Sequence, residues 1–253
     1  MSARIVRLGI RVRAERAETA LADLLPLLAD GAEERAVDGA VEYALYAPAG
    51  ELPSRAEIAA LAGDALVDVV SAPVPDGWQR RWHDYLRPVR AGSFTVRPPW
   101  IDGAPGDLVI DPDVFFGAGT HPTTRLCLQL LEGLEPAGAL CDWGAGTGVL
   151  AIAAARLGWD PVTAVEIAPG APIAANARRN GVTVAVVQGD APTGAPAVLA
   201  NLPRPALLTL PRRPALLVAS GFLTHEADEV VAALGMDEQR RVTEGEWAAV
   251  VLR

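Results

Sequence analysis

Apolar and polar positions over the first 70 residues follow the pattern of a small mixed domain. Residues 5–12 alternate with a period of two, which is typical of a strand with one buried face. Helical spacing over 15–28 is followed by two strands, at 34–37 and 41–46, joined at Asp38-Gly39. Ser54 and Glu57 have the spacing of a capping box before a helix, and 66–70 is a last strand. The order βαββαβ predicts a ferredoxin-like domain over residues 1–72.

From about residue 106 onward, short apolar runs alternate with amphipathic segments. We expect strands near 108–110, 139–141, 162–165, 184–187, 198–200, 215–219 and 248–252. We expect helices over 123–134, 149–157, 172–180 and 224–234. Strands alternating with helices predict a Rossmann-like α/β domain over 106–253, with a doubly wound, mostly parallel, seven-stranded sheet. Residues 73–105, which begin with a proline-rich stretch and contain several aromatic residues, are predicted to form a linker region.

A glycine-rich stretch stands between the predicted strand at 139–141 and the predicted helix at 149–157. It reads D-W-G-A-G-T-G from Asp142 to Gly148, and Glu166 ends the next apolar run. Glycines allow a sharp turn and let a ligand lie against bare main chain, and a carboxylate at the second strand end can accept hydrogen bonds from ribose hydroxyls. This layout is typical of a nucleotide-type cofactor site.

The spacing of the glycines distinguishes two kinds of cofactor. A dinucleotide fingerprint has its third glycine one position later, where Val149 stands. The pattern D-x-G-x-G-x-G instead resembles motif I of class I S-adenosylmethionine-dependent methyltransferases, whose cofactor has no pyrophosphate. We therefore expect Asp142, Gly144, Gly146 and Glu166 to bind S-adenosylmethionine, with Asp142 meeting the methionine amine directly or through water. A dehydrogenase and a glycine-rich turn without function are the alternatives.

A second glycine-containing stretch, F-F-G-A-G-T-H-P-T-T over 115–124, precedes motif I. Proline fits the first turn of a helix, so a helix is expected to begin here. Such a loop can fold over a cofactor, with Thr124 hydrogen-bonded to the methionine carboxylate or amine. The alternative is that Thr120 or Thr123 only caps the helix.

Together, F-G-x-G-T-H-P-T-T-x-L-C-L and the following D-x-G-x-G-x-G-x-L-A-I-A-A are similar to the PrmA family of bacterial methyltransferases, which modify the large-subunit ribosomal protein L11. Trp78, Trp82, residues 98–100 and residues 244–247 resemble further family features. The resemblance implies S-adenosylmethionine as cofactor. It also implies transfer of methyl groups to amino groups, of lysine side chains or the N-terminus, on a ribosomal protein docked by the small domain.

The resemblance also implies roles for individual residues. Thr124, Gly144, Glu166 and Asn201 fall on cofactor contacts of the family, and Asn201 is the expected catalytic residue, because a polar residue there faces the methyl donor and the substrate nitrogen. The run Asn201-Leu202-Pro203 partly matches the N-P-P-[YF] motif of amino-group methyltransferases, and a simple strand-to-loop turn is the alternative.

Other polar residues near these motifs have less specific signals. Asp190 is expected to bind the adenine amino group, although Asp also favours turns. No general base is assigned to His121, Asp111 or Asp113.

The sequence departs from the family pattern at three places. Ala118 stands where Thr is usual, Glu166 stands where Asp is usual, and the segment between Asn201 and Ala215 is short and rich in proline. Because that segment borders the expected substrate opening, two alternatives stay open. One is a methyltransferase acting on another protein or a small molecule, and the other is a non-catalytic binding module that retains the fold.

Bulk properties exclude several other classes. The net charge of −9 disfavours a broad nucleic-acid surface, and the 22 basic residues are all Arg, so no Lys can serve as a base or Schiff-base former. Cys127 and Cys141 have no metal-binding spacing, so we expect no metal. No apolar stretch is long enough to span a membrane, and the first residues lack the long apolar region of a signal peptide. We expect a cytoplasmic monomer.

Overall fold

The structure is a computed structural model that describes residues 5–24, 27, 32–37, 39–48, 52–74, 86–112, 117, 119–169 and 171–253. The chain forms two compact units, Met1–Tyr85 and Leu86–Arg253. The described part contains no helix with the length and apolar character that a membrane span requires. Trp78, Trp82, Asp113, Ala118 and the start of the 115–124 motif lie outside the described residues.

The first unit has the predicted ferredoxin-like topology. Its sheet is antiparallel with the strand order β2-β3-β1-β4. Its elements are β1 (Ile5–Arg13), α1 (Ala17–Leu24), β2 (Glu33–Val37), β3 (Ala40–Pro48), α2 (Arg55–Ala62) and β4 (Leu66–Pro73). Alternate residues of β1, namely Leu8, Ile10 and Val12, pack with Leu24 of α1 and Ile58 of α2 in one buried cluster. The period of two in the sequence therefore follows from a sheet with helices on one face.

The capping box predicted at the start of α2 is present. The Ser54 hydroxyl accepts a hydrogen bond from the Glu57 backbone N–H at 3.3 Å, and the Ser54 N–H donates to the Glu57 carboxylate at 2.8 Å. These bonds satisfy amides that the helix itself leaves without partners, which stabilises the helix by about 1 kcal/mol.

On the same sheet, the residues that alternate with these apolar ones surround a buried carboxylate. Glu42 on β3 is fully buried and accepts hydrogen bonds from Arg7 (2.6 Å), Arg11 (2.8 Å) and Arg35 (2.9 Å). The carboxylate lies over Gly9 of β1, where a Cβ atom would come within 2.9 Å of it. Burial alone would raise the pKa of Glu42, but the hydrogen bonds from Arg7 and Arg11 and the arginine charges lower it to about 2.

The second unit begins with a three-stranded sheet. It contains β5 (Val89–Ala91), β6 (Phe94–Arg97) and β7 (Leu108–Val109). Residues 86–105, predicted as part of the linker region, thus contribute two strands to this unit. The expectation that 108–110 joins the large sheet is wrong, because β7 pairs in parallel with β6. A short apolar run predicts a buried strand but does not specify which sheet receives it.

The large sheet has seven strands in the order β10-β9-β8-β11-β12-β14-β13, and it is parallel except for β14. The strands are β8 (Leu140–Trp143), β9 (Val162–Glu166), β10 (Ala185–Gln188), β11 (Ala197–Asn201), β12 (Leu216–Leu223), β13 (Glu238–Glu244) and β14 (Trp247–Leu252). The helices are α3 (Pro122–Glu132), α4 (Val149–Leu157), α5 (Ile173–Arg179), α6 (Arg204–Leu207) and α7 (Ala227–Leu234). The predicted doubly wound fold is confirmed. Strand β13 was not predicted, because its residues E-Q-R-R-V-T-E are mostly polar, as is common at a sheet edge.

The strand order reverses between β8 and β11. Consecutive strands proceed from β8 toward β9 and β10 on one side, and from β11 toward β12 on the other. At such a switch point the connections leave in opposite directions, so a crevice opens at the carboxyl ends of the two central strands. Both the glycine-rich loop after β8 and Asn201 at the end of β11 therefore border this crevice.

Candidate active site

The glycine-rich loop makes a tight turn that side chains would obstruct. Gly144, Gly146 and Gly148 have φ values of +74°, +52° and +80°, which favour glycine. A Cβ atom on Gly144 would collide with the Leu202 side chain, which follows Asn201 in the chain. A Cβ atom on Gly221 would collide with the backbone of the same leucine. The two glycines thus allow β8, β11 and β12 to place Leu202, and hence Asn201, close to the loop.

The backbone amides of this loop already have partners within the protein. Gly144 N and Ala145 N both donate to the Val165 carbonyl, at 2.9 and 3.0 Å, and Gly148 N donates to the Ala145 carbonyl at 2.7 Å. A pyrophosphate is normally held by such amides at the start of a helix. Because these three amides and that of Gly146, which donates to Glu166, are taken, the loop fits a cofactor without a pyrophosphate better than a dinucleotide, and this geometry disfavours the dehydrogenase alternative.

Glu166 at the end of β9 is held by the loop that it faces. One carboxylate oxygen accepts a hydrogen bond from Gly146 N at 2.7 Å, and the other accepts one from Ala168 N at 3.0 Å. The side chain is half-buried. A carboxylate has about four acceptor positions, so each oxygen retains capacity for a ribose hydroxyl. The predicted ribose contact is therefore compatible with the structure and stays a prediction.

A cavity of about 270 Å³ adjoins this carboxylate at the edge of the sheet. Its lining consists of Glu166, Ala168, Pro169, Ala171, Val186, Val187 and Gln188. It contains one of the predicted contact residues and does not reach Asp142 or Asn201. The cavity therefore marks the β9–β10 side of the site and does not delimit the whole of it.

Asp142 at the end of β8 lies beneath the loop. Its side chain is buried, and one carboxylate oxygen accepts a hydrogen bond from Ala151 N, in the first turn of α4, at 2.9 Å. Burial raises its pKa to about 7, with the Glu166 charge acting in the same direction and the Ala151 hydrogen bond opposing both. In this structure Asp142 fastens α4 to β8, and the predicted contact with a methionine amine stays a prediction.

Asn201 and Thr124, which are 77 residues apart, are neighbours in the folded chain. The Asn201 side-chain nitrogen lies 3.4 Å from the Thr124 hydroxyl, which is a long hydrogen bond. Thr124 is buried in the first turn of α3, whereas Asn201 is half-buried at the end of β11. Because the nitrogen points to Thr124, the amide oxygen of Asn201 is left to accept a hydrogen bond from another group.

The start of α3 does not match the alternative in which Thr120 or Thr123 caps the helix. The N-cap is His121, whose Nδ1 accepts a hydrogen bond from Thr123 N at 3.3 Å. Its ring packs edge-on against Trp247, with centroids 4.8 Å apart. Burial, and secondarily the Arg125 charge, lowers the pKa of His121, which favours the neutral ring that capping requires. These contacts give His121 a structural role.

Asp190, predicted to contact adenine, has an exposed side chain. Its backbone carbonyl accepts a hydrogen bond from the Trp143 indole at 3.0 Å, which ties the residues after β10 to the end of β8. The adenine contact stays a prediction. Among the described residues, no cluster of His, Cys, Asp and Glu side chains is placed to hold a metal ion.

Sequence reasoning missed several residues that support this site. Trp143, Thr147 and Asn176 are buried around the glycine-rich loop and hydrogen-bond to it or to the segments beside it. Trp143 and Thr147 lie inside motif I at positions where the motif accepts any residue, so the pattern itself carried no signal for them. The segment after Asn201 contains the short helix α6, and Arg204 on it pairs with Glu226 and Glu229.

Comparisons with known proteins agree with this geometry. The family model of ribosomal protein L11 methyltransferase (PrmA) matches residues 56–253. A curated ribosomal protein L11 methyltransferase from Pelotomaculum thermopropionicum is 39% identical over 252 residues, covering 87% of this chain and 82% of the relative. Another, from Geobacter sulfurreducens, is 37% identical over 254 residues, covering 88% and 84%. The crystal structure of a ribosomal protein L11 methylase from Lactobacillus delbrueckii subsp. bulgaricus shares the fold, with a TM-score of 0.58, 22% identity and coverage of 67% of this chain and 98% of that one. The chain is a methyltransferase and belongs to the ribosomal protein L11 methyltransferase (PrmA) family.

Proposed function

We propose that this methyltransferase transfers methyl groups from S-adenosylmethionine to amino groups of ribosomal protein L11, on lysine side chains, the N-terminus or both. The observation that carries the proposal is the approach of Asn201 to Thr124 at the switch point, beside a glycine-rich loop whose amides are already bonded. Ribosomal protein L11 is proposed as the substrate because the relatives described above are ribosomal protein L11 methyltransferases.

The residues of the site suit S-adenosylmethionine. Glu166 and the loop after β9 would hold the ribose, Asp190 the adenine, and Thr124 the methionine end. Gly144 and Gly146 would let the cofactor lie against the main chain. When bound, the cofactor supplies an electrophilic methyl group on a sulfonium.

The chain's own contribution to transfer is the orientation of the substrate nitrogen. The Asn201 amide oxygen, which accepts no hydrogen bond from the side chains of the described residues, would accept an N–H from the incoming amine and so direct the nitrogen lone pair. An amine with a pKa near 10 must first lose its proton, and partial burial around Asn201 favours the neutral form. The amine gives that proton to solvent before the transfer, so no dedicated base is required, and positioning of this kind can supply several kcal/mol of the barrier reduction.

The first unit is proposed to dock the ribosomal protein, and the enzyme is proposed to act in the cytoplasm as a monomer. Direct nucleic-acid binding is not part of the proposal, since the chain carries a net charge of −9. The proposed docking role is assigned to residues 1–72. Of the predicted linker region 73–105, residues 86–105 belong to the second unit, so the linking role is proposed for residues 73–85.

The test combines calorimetric titration of S-adenosylmethionine with mass spectrometry of ribosomal protein L11 incubated with enzyme and cofactor. Binding together with mass gains in steps of one methylene unit is the expected result. Binding without any mass gain would refute the proposed substrate and favour another acceptor or a binding module. Asn201→Ala should retain most of the cofactor affinity and lose most of the methyl transfer, whereas Asn201→Asp, which keeps an acceptor oxygen, should retain more.

A further inference from the structure

A buried asparagine on α5 joins two segments of the site. The Asn176 side chain is fully buried. Its oxygen accepts a hydrogen bond from Asp111 N at 3.0 Å, and its nitrogen donates to the Asp111 carbonyl at 3.0 Å. The same nitrogen donates to the carbonyl of Thr147, in the glycine-rich loop, at 3.0 Å. The two carbonyls need a donor and the amide needs an acceptor, so these partners fix the orientation of the Asn176 amide.

One helical turn further along, Asn180 makes the same pair of bonds to a neighbouring residue. Its oxygen accepts from Val109 N at 2.9 Å, and its nitrogen donates to the Val109 carbonyl at 2.8 Å. Four residues of helix rise about 6 Å and two residues of strand extend about 6.6 Å, so the two side chains match alternate residues of the extended segment. The amides of Asn176 and Asn180 thus bond to the N–H and carbonyl groups of β7 and the residues that follow it, as the backbone of a neighbouring strand would.

The two asparagines also have matched cationic neighbours. Arg179 donates to the Asn176 oxygen at 3.1 Å, and Arg156 donates to the Asn180 oxygen at 3.2 Å. They differ in the second bond that each nitrogen donates, which in Asn180 goes to the Asn176 backbone carbonyl at 2.8 Å. Asn176 bonds to the glycine-rich loop, and among the described residues Asn180 makes no hydrogen bond to that loop.

The bond to the loop continues to a third segment. The Thr147 hydroxyl, which is also buried, donates to the Gly117 carbonyl at 3.0 Å. Gly117 has a φ of +112°, and a Cβ atom there would lie 2.5 Å from the same hydroxyl. Asp111 and Gly117 are therefore both held against Thr147, and Gly117 precedes the residues that begin α3 and carry Thr124.

We propose that Asn176 is a positioning residue for the cofactor. By fixing Thr147 relative to Asp111 and Gly117, it holds the glycine-rich loop in register with the segment that leads to Thr124. The inference rests on the S-adenosylmethionine part of the proposed function and is independent of the identity of the methyl acceptor. Asn180 contributes comparable bonds to stability without this connection, so it separates positioning from folding.

The experiment compares Asn176→Asp with Asn180→Asp. Aspartate keeps the size and the acceptor but, when ionised, cannot donate to the carbonyls. Thermal unfolding without cofactor measures the stability cost, and calorimetric titration measures the dissociation constant for S-adenosylmethionine at a temperature where both variants are folded. We expect both variants to lose stability, and the dissociation constant to rise about tenfold in Asn176→Asp and less than about twofold in Asn180→Asp. In methyl transfer, KM for the cofactor should rise in Asn176→Asp more than kcat falls.

A second pair of variants decides the matter if either aspartate variant fails to fold. Thr147→Val removes the hydroxyl that bonds to Gly117, and Thr147→Ser retains it. A dissociation constant that rises several-fold in Thr147→Val but not in Thr147→Ser supports the inference. Equal affinities in this pair, or equal losses in the two asparagine variants, would overturn it. Failure of the wild-type chain to bind S-adenosylmethionine would instead overturn the proposed function, and the inference with it.

Discussion

The two units of this chain each bury a carboxylate, and they treat it in opposite ways. Glu42 in the first unit is bonded by three arginines, and its pKa falls to about 2. Asp142 in the second unit has a hydrogen bond from the backbone N–H of Ala151, and its pKa rises to about 7. Burial disfavours the charged form in both cases, so the partners decide the sign of the shift.

The difference matches the position of each group. Glu42 lies in an antiparallel sheet whose neighbouring strands supply arginines at matching register. Asp142 lies at the carboxyl end of a central strand, where parallel neighbours are apolar and the loop above it is built from glycines. A carboxylate that is costly to ionise is acceptable there because the first turn of α4 needs an acceptor at that point.

Replacing Asp142 with Asn should remove a pH dependence of stability. The unfolded chain loses this proton near the ordinary pKa of 3.8, and the folded chain loses it near 7. Between these values the unfolded state binds fewer protons, so the free energy of unfolding falls as pH rises, by about 4 kcal/mol in total. Above the folded pKa no further loss occurs. Denaturant unfolding of both proteins across this range should show the wild-type chain losing stability relative to Asp142→Asn, and parallel curves would contradict the raised pKa.

Replacing Glu42 with Gln should remove a pH dependence of stability that has the opposite sign to that of Asp142. The folded pKa lies below the ordinary value of 4.5, so this group contributes stability above that value and loses it as pH falls toward about 2. At neutral pH the variant leaves three arginines without their anionic partner, and we expect a loss of about 3 kcal/mol in the first unit. Hydrogen exchange in β1 and β3 reports this unit separately. If the amides of β1 and β3 exchange at the same rate in Glu42→Gln as in the wild-type chain, the three arginines do not need the carboxylate to stabilise this unit.

How far the sequence predicts these features depends on whether the signal is local. The ferredoxin-like order and the capping box at Ser54 follow from short-range periodicity and spacing, and the structure confirms both. The glycine-rich loop is recognisable because its residues must adopt positive φ values. By contrast, β13 has no apolar alternation and was missed, and β7 was assigned to the wrong sheet.

The supporting residues of the site were harder to predict for a related reason. Asn176 bonds to Asp111, which is 65 positions away, and a single asparagine within a helix looks like any other polar residue in the sequence. Asn201 and Thr124 were assigned to one cofactor site only through the resemblance to a family, and their contact was not predicted, because they lie on elements that only the folded sheet brings together. Hydrogen bonds between side chains of distant segments produce no periodic pattern of apolar and polar residues in the sequence.

Glu166 extends the comparison to a half-buried carboxylate. Its two oxygens accept backbone N–H groups of Gly146 and Ala168, so it resembles Asp142 in its partners but not in its burial. Removing it in Glu166→Ala should weaken S-adenosylmethionine binding by about 2 kcal/mol, because charged hydrogen bonds to ribose are lost. Calorimetric titration measures the change, with Glu166→Asp as the control that keeps the charge with a shorter reach. An unchanged dissociation constant in Glu166→Ala would remove this residue from the site.

A smaller effect is expected at Gly9, over which the Glu42 carboxylate lies. A methyl group in Gly9→Ala would come within 2.9 Å of that carboxylate and 3.0 Å of an Arg7 nitrogen, so the cluster must shift. We expect a loss of about 1 kcal/mol from this overpacking. In the Glu42→Ala background the carboxylate is gone and the Arg7 side chain is no longer held by it, so the same Gly9→Ala change should cost nothing or stabilise, since alanine loses less backbone entropy in a strand than glycine. Unfolding free energies of the two single variants and the double variant form a cycle. If the losses are additive, the Glu42 carboxylate is not the reason why a side chain at position 9 is unfavourable. The cluster of Glu42 and its three arginines would then be less tightly packed than the glycine-rich loop of the second unit.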